Sequence, residues 1–101
     1  MQKAIIADSH LCGSIGVRIV DGVHAVGYGL GRAHWGRGIA SRALELLLAE
    51  VAVRPLHARA AASNPASIRV LLKNGFVITG RGLSPETDRY IACEEVQFLR
   101  A

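Results

Sequence analysis

The segment Gly36-Arg37-Gly38-Ile39-Ala40-Ser41 sets glycines directly ahead of an apolar pattern of helical period, Ile39, Ala43, Leu44, Leu47, Leu48 and Val51. A helix start of this kind suits an anion such as phosphate. The free amides of the first turn point outward, the macrodipole adds partial positive charge, and glycine lets the backbone approach an oxygen without interference from Cβ. Arg32, Arg37 and Arg42 gather around the same start, where they either hold phosphate or face water. Arg69 and Lys73 lie one turn apart on a later helix and carry the same two readings. The loop lacks the Gly-Lys-Ser/Thr of a Walker motif. If the chemistry needs a base, His24, His34, Glu94 and Glu95 are available, and no spacing selects among them. Glu94 and Glu95 are adjacent on a strand, so they point to opposite faces and make a poor carboxylate pair. His10 and Cys12 alternate like two metal ligands, yet no third or fourth ligand follows at a recognised spacing, and no metal is expected.

These residues need elements to position them. Ala4 to Ala7 is a short apolar strand. Ile15, Val17 and Ile19 alternate along a second strand, and Asp21-Gly22 supplies the positive φ angles of a two-residue hairpin turn into a third, Val23 to Leu30. Gly27 and Gly29 flank Tyr28 in that strand, which suggests a bulge or close approach by another backbone or a ligand. A first helix is expected from Gly36 or Gly38 to Val53, stopped by Arg54-Pro55. Leu56 to Ala61 reads as a strand of small residues. Asn64-Pro65 opens a second helix with an N-cap and a preorganised first position, and Asn74-Gly75 ends it. Its apolar face is Ile68, Leu71 and Leu72. Phe76 to Thr79 is then a strand, Arg81 to Asp88 a polar loop, and Arg89 to Leu99 a final strand carrying Tyr90. The order predicts one mixed α/β (α+β) layer structure, residues 1–101 forming a single domain without internal repeats.

Composition narrows the function. The chain has 101 residues, 12 Lys and Arg against 8 Asp and Glu, and a formal net charge of +4. Ten of the twelve cations are Arg, which favours planar recognition of phosphate or carboxylate. The Arg residues are dispersed, and the aromatic side chains do not interleave with them, so a nucleic-acid platform is not expected. Cys12 and Cys93 form no disulfide or zinc framework. No apolar stretch is long enough to span a membrane and no leader pattern stands at the N-terminus, so the expectation is a cytoplasmic protein.

The run from Val26 to Leu44, followed by Asn64-Pro-Ala-Ser-Ile-Arg-Val-Leu-Leu-Lys-Asn-Gly-Phe76, resembles the GNAT superfamily of acetyl-CoA-dependent N-acetyltransferases. Within it the likeness is to the RimJ/RimL-like branch that acetylates ribosomal-protein N-termini. The resemblance implies a mainly antiparallel sheet with two principal helices and acetyl-CoA as cosubstrate. It places the pyrophosphate loop on Trp35, Gly36, Arg37, Gly38, Ile39 and Ala40, with Ser41 next in the helix. Trp35 stands where the family usually has Gln or Arg. Tyr28, Gly29 and Leu30 correspond to the family's bulged strand, which pairs with pantetheine; an amide near Gly29 or Leu30 would hold the thioester oxygen. Asn64 matches the Asn that contacts the pantetheine arm. Ser67 would donate to the departing thiolate, because the position of the family's acidic Tyr is Leu71 here. The amine acceptor is a protein N-terminus or a small amine.

Members of the superfamily carry a strand and two helices ahead of the element matched to residues 4–7. The resemblance therefore implies that this chain corresponds to the C-terminal portion of the fold, with one sheet face uncovered and apolar. A homodimer that covers this face is expected, the alternatives being completion by a separately encoded partner or a truncated, catalytically weak remnant. The alternative function is a catalytically silent CoA-binding or dimerising module of the same fold.

Overall fold

A computed structural model describes residues 2–7, 9–31, 34–36, 38–84 and 93–101. Six strands and two helices follow one another as β1 (Gln2–Ala7), β2 (His10–Val20), β3 (Val23–Leu30), α1 (Ile39–Glu50), β4 (Leu56–Ala61), α2 (Pro65–Lys73), β5 (Val77–Ser84) and β6 (Cys93–Arg100). They form one sheet in the order β1-β2-β3-β4-β6-β5. Only β3 and β4 run parallel; every other neighbouring pair is antiparallel. The expected mixed, mainly antiparallel sheet with two helices is what the chain forms.

Local chemistry sets the boundaries. Asp21 and Gly22 both adopt positive φ, 49° and 79°, as the tight turn between β2 and β3 requires. Asn64 caps α2, its Oδ1 accepting from the Ser67 amide at 3.2 Å, and Pro65 occupies the first helical position. At the other end Gly75 takes φ 86°, the Phe76 amide reaches the Leu71 carbonyl at 3.1 Å, and the Gly75 amide reaches Leu72 at 3.2 Å. This is a Schellman closure, in which glycine carries the left-handed residue at no steric cost. Asn64→Ala should cost about 1 kcal/mol of stability, measured by urea denaturation; an unchanged midpoint would show that the cap contributes nothing.

The core lies between one sheet face and the helices. Ile15 and Val17 of β2, Val26 of β3, Leu56, Ala58 and Ala60 of β4, and Val96 and Phe98 of β6 are buried with Leu44 and Leu47 of α1 and Leu71 of α2. Alternation sends Ser14, Gly16 and Arg18 of β2, Gly27 and Gly29 of β3, and Arg59 of β4 to the other face. Gln2 Nε2 donates to Ser14 Oγ there at 3.2 Å. The centre of this face is therefore glycine and polar, not the apolar patch expected from sequence; exposed apolar side chains stand towards its margins, Ile6 of β1 with Leu11 of β2 and Val77 of β5.

Several sequence expectations need correction. α1 starts at Ile39 and ends at Glu50 rather than Val53, with Val51 already extended. The Arg54 guanidinium takes the carbonyls of Val51 and Val53, each at 2.8 Å, and of Leu48 at 3.1 Å, the last of which a longer helix would have paired internally. Ile19 and Leu72, assigned to apolar faces, are exposed, and Val70 packs against the core instead of Leu72. β5 continues through Arg81 to Ser84, where a loop was expected, because Arg81–Ser84 pair with Cys93–Val96. Residues 85–92, including Tyr90, lie outside the described residues. Register between β2 and β3 runs unbroken from Gly13↔Leu30 to Val20↔Val23, so Gly27 and Gly29 mark no bulge. The irregularity is in β2: Ile5 pairs with Gly13 and Ile6 with Leu11, leaving Cys12 as the extra residue.

Candidate functional site

β3 and β4 touch at a single bridge, Ala25↔His57, although β3 runs on to Leu30. Beyond that bridge β4 pairs only with β6, so a gap opens between the two parallel strands. The backbone groups facing this gap follow from ladder alternation. The Gly31 amide donates to the Cys12 carbonyl at 2.8 Å, so Gly29 and Gly31 exchange bonds with β2, whereas Tyr28 and Leu30 turn their amides and carbonyls away from it. Of the two amides named from sequence for the thioester oxygen, Leu30 therefore faces the gap and Gly29 faces β2. The Leu30 carbonyl accepts from Trp35 Nε1 at 3.1 Å, which ties the turn after β3 to the strand end.

The next element is the glycine-led start of α1. Gly36 and Gly38 both hold φ at 74°, and Gly38 is the N-cap of α1. Its position has no side-chain cap, and the first turn carries no acidic residue. The amides of Ile39, Ala40 and Ser41 thus point out of a helix start without a carboxylate to oppose an anion. A Cβ at Gly36 or Gly38 would meet nothing within 4 Å, so glycine is needed there for its backbone angle rather than for space. The Ser41 hydroxyl is turned elsewhere: it accepts from Asn74 Nδ2 at 3.2 Å, and the same Nδ2 donates to the Val70 carbonyl at 2.9 Å. Asn74 thereby links the first turn of α1 to the last turn of α2, a contact that nothing in the sequence pattern signals.

α2 closes the opposite side of the gap. Ser67 stands in its first turn, and its Oγ lies 2.7 Å from Tyr28 Oη; the Ser67 carbonyl, 3.3 Å from the same phenol, is an alternative acceptor for its proton. A side chain from β3 thus spans to the helix that follows β4. Burial pushes the Tyr28 phenol above its ordinary value of 10.0, and the Ser67 hydrogen bond pulls the other way more weakly. The phenol is therefore protonated throughout the neutral range. Asn64 Oδ1 is engaged as the helix cap, while Leu71 is wholly buried in the core and offers no polar group.

Not every residue singled out in the sequence reaches this place. Arg32 and Arg37 lie outside the described residues. Trp35 is 61% exposed, and Arg42 is paired with Glu45 on the surface of α1. Arg69 and Lys73 are exposed on α2. Among the base candidates, His24 lines a groove with Val17, Arg18, Ile19, Val51 and Val53 near the hairpin end, and Glu95 approaches Arg59 at 3.7 Å. Glu94 is exposed. His34 lies in the turn after β3, with Nδ1 buried and without a hydrogen-bond partner among the described residues. Among the described residues, no three His, Cys, Asp or Glu side chains converge as a metal site, and no helix is long and apolar enough to cross a membrane.

Comparison with known proteins adds family and fold. The sequence model of the acetyltransferase (GNAT) domain matches residues 1–77. A search of curated proteins gives no match. Among solved structures, the ribosomal L7/L12 α-N-protein acetyltransferase RimL in complex with coenzyme A superposes with a TM-score of 0.85 at 21% identity, over 98% of this chain and 60% of that one. A GNAT-family acetyltransferase from Bacillus anthracis gives 0.81 at 19% identity, over 97% and 64%. The microcin C7 self-immunity acetyltransferase MccE, in complex with acetyl-CoA and AMP, gives 0.76 at 20% identity, over 90% and 54%. The chain thus spans between 54% and 64% of the length of these three proteins.

Proposed function

From the premise that the chain belongs to the acetyltransferase (GNAT) domain family, we propose that it binds acetyl-CoA and transfers the acetyl group to a primary amine, a protein N-terminus or a small amine. The observation that carries this reading is the gap between β3 and β4, with the uncapped, glycine-led start of α1 beside one strand and Ser67 of α2 beside the other. The residues fit the coenzyme by their donor set. The amides of Ile39, Ala40 and Ser41 would take pyrophosphate oxygens, helped by the left-handed glycines Gly36 and Gly38. The edge groups of Tyr28 and Leu30 would pair with the pantetheine arm as a further strand would, and Asn64 borders the same arm. Arg37 completes the proposed loop, and Trp35 holds it against the end of β3.

The thioester supplies an activated acyl group; the chain supplies position and charge stabilisation. Leu30 N–H would donate to the carbonyl oxygen as negative charge develops on it, and Ser67 Oγ–H would donate to the leaving sulfur. Bringing amine and thioester together in one oriented site is worth about 7–11 kcal/mol in the best intramolecular cases, so positioning carries much of the rate. The RimJ/RimL-like branch is supported by the fold likeness to RimL, and a ribosomal-protein N-terminus is the acceptor class this suggests. Residues 1–101 are proposed to act as one domain, the C-terminal portion of the family fold, and to self-associate. The exposed Ile6 and Leu11, paired across β1 and β2, support that association.

Calorimetric titration with acetyl-CoA, followed by thiol release in the presence of amine and N-terminal peptide acceptors, tests the reading. Saturable binding with acceptor-dependent thiol release is expected. Binding without release would favour the silent CoA-binding module, and no binding would sink both.

A further inference from the structure

We propose that the Tyr28 hydroxyl supplies, through the Ser67 hydroxyl, the proton taken up by the departing thiolate. This rests on the acetyl-transfer reading above and adds to it a positioning residue on a different strand.

Tyr28 Oη stands 2.7 Å from Ser67 Oγ and 3.3 Å from the Ser67 carbonyl. The carbonyl can only accept, and each hydroxyl has one proton. If the phenol gave its proton to the carbonyl and Ser67 gave its own to the phenol, both would be spent internally. Either oxygen can be the donor across the 2.7 Å contact, and the relay uses the other arrangement, in which the phenol donates to Oγ and Ser67 keeps its proton for a third group. Tyr28 is partly buried beneath α2 and packs against the core, while Ser67 is the more peripheral partner in the first helical turn. Ser67 is also the one residue of α2 with a side-chain hydroxyl or carboxyl. An interior acid is thus joined to the group best placed to reach the gap. The groups around the phenol, Ile15 opposite it on β2 and Ser67 on α2, are uncharged, while Arg69 and Lys73 of α2 are exposed. Burial accordingly keeps the phenol protonated where the reaction runs.

The step balances. The amine nitrogen bonds to the acetyl carbon, and the C–S bond breaks with its electron pair going to sulfur. Sulfur takes the Ser67 proton, Ser67 takes that of Tyr28, and the phenolate recovers the proton lost by the amine through water. The products are an amide and a thiol, with both hydroxyls restored.

The test compares wild type, Tyr28→Phe, Ser67→Ala and the double variant, with acetyl-CoA and whichever acceptor gives thiol release. Tyr28→Phe keeps the ring and its packing. Its expected effect is a fall in kcat on the order of 10²-fold, typical of lost proton donation, with the KM for acetyl-CoA nearly unchanged. The double variant should be no slower than Ser67→Ala, because the two hydroxyls act in series. A purely structural role is separated by pH. Replacing tyrosine by 3-fluorotyrosine in a Tyr90→Phe background places the more acidic phenol at position 28 alone, and the alkaline fall of kcat should move to lower pH. Wild-type turnover with unchanged kcat in Tyr28→Phe, additive losses in the double variant, or an unmoved alkaline limb would each overturn the relay and leave the acetyl-transfer reading standing. Absence of wild-type turnover would overturn both.

Discussion

Gly13→Val is expected to cost the chain about 3 kcal/mol or more, at the upper end of overpacking effects. For a domain of this size that corresponds to a fall in melting temperature of roughly 10–25 °C. A Cβ at Gly13 would stand 1.9 Å from the Gly29 carbonyl oxygen, 2.9 Å from its carbon and 3.0 Å from Leu30 Cα. All three are backbone atoms, so no side-chain rotation relieves the clash. β3 would have to move, yet it is held by an unbroken ladder to β2 and by the Gly31 amide on the Cys12 carbonyl. The displaced atoms belong to the strand end proposed to hold the thioester, so acetyl-CoA affinity should fall with stability even at temperatures where the variant remains folded. A thermal melt followed by calorimetry on the folded fraction checks both. A variant that melts within a degree or two of wild type would mean that β3 accommodates the side chain at no cost.

The second large effect is on binding. Gly38→Val should weaken acetyl-CoA binding by about 10²-fold or more, since two hydrogen bonds to a charged group are each worth roughly 1.5–3 kcal/mol. The physical route is the backbone angle. Gly38 holds φ 74°, a region that costs a β-branched residue about 1–2 kcal/mol, while the space around its Cβ is open. Valine would relieve the strain by rotating φ, swinging the amides of Ile39, Ala40 and Ser41 out of line. Asn tolerates the left-handed region, so Gly38→Asn should retain most of the affinity. Calorimetric titration of the two variants separates angle from bulk: equal loss in both would point to crowding, and no loss in either would remove the loop from the coenzyme site.

What the sequence made legible was whatever a few adjacent residues decide. Asp21-Gly22 located the hairpin because positive φ has few tenants, and Asn64-Pro65 with Asn74-Gly75 bounded α2 nearly to the residue. The end of α1 was missed because Val51 and Val53 prolong the apolar period, whereas the chain there is extended and Arg54 takes the carbonyls of Leu48, Val51 and Val53. β5 was cut short because Gly80-Arg81-Gly82 reads as a turn. Its strand character comes from β6, where the Gln97 side chain lies over both glycines and occupies the space their missing Cβ atoms leave. The candidate site divides in the same way. Its glycine loop and the Asn64 cap are local motifs. The gap between β3 and β4, the choice of the Leu30 amide over that of Gly29, and the Tyr28–Ser67 contact across 39 positions arise only from the pairing of distant strands.

The lone bridge Ala25↔His57 also bears on how the molecule holds together over time. On one side of it lies the meander β1-β2-β3, on the other the unit β4-β6-β5. The ladders of the meander and of β5 with β6 join segments near in sequence and can form early, whereas β4 reaches β6 only across α2 and β5. The join between them depends on one strand contact and on the helices laid across it. In hydrogen-exchange terms the sheet comprises two cooperative units meeting at a seam. The gap that would admit a coenzyme is the open end of that seam, so a molecule bound there would fasten one folding unit to the other.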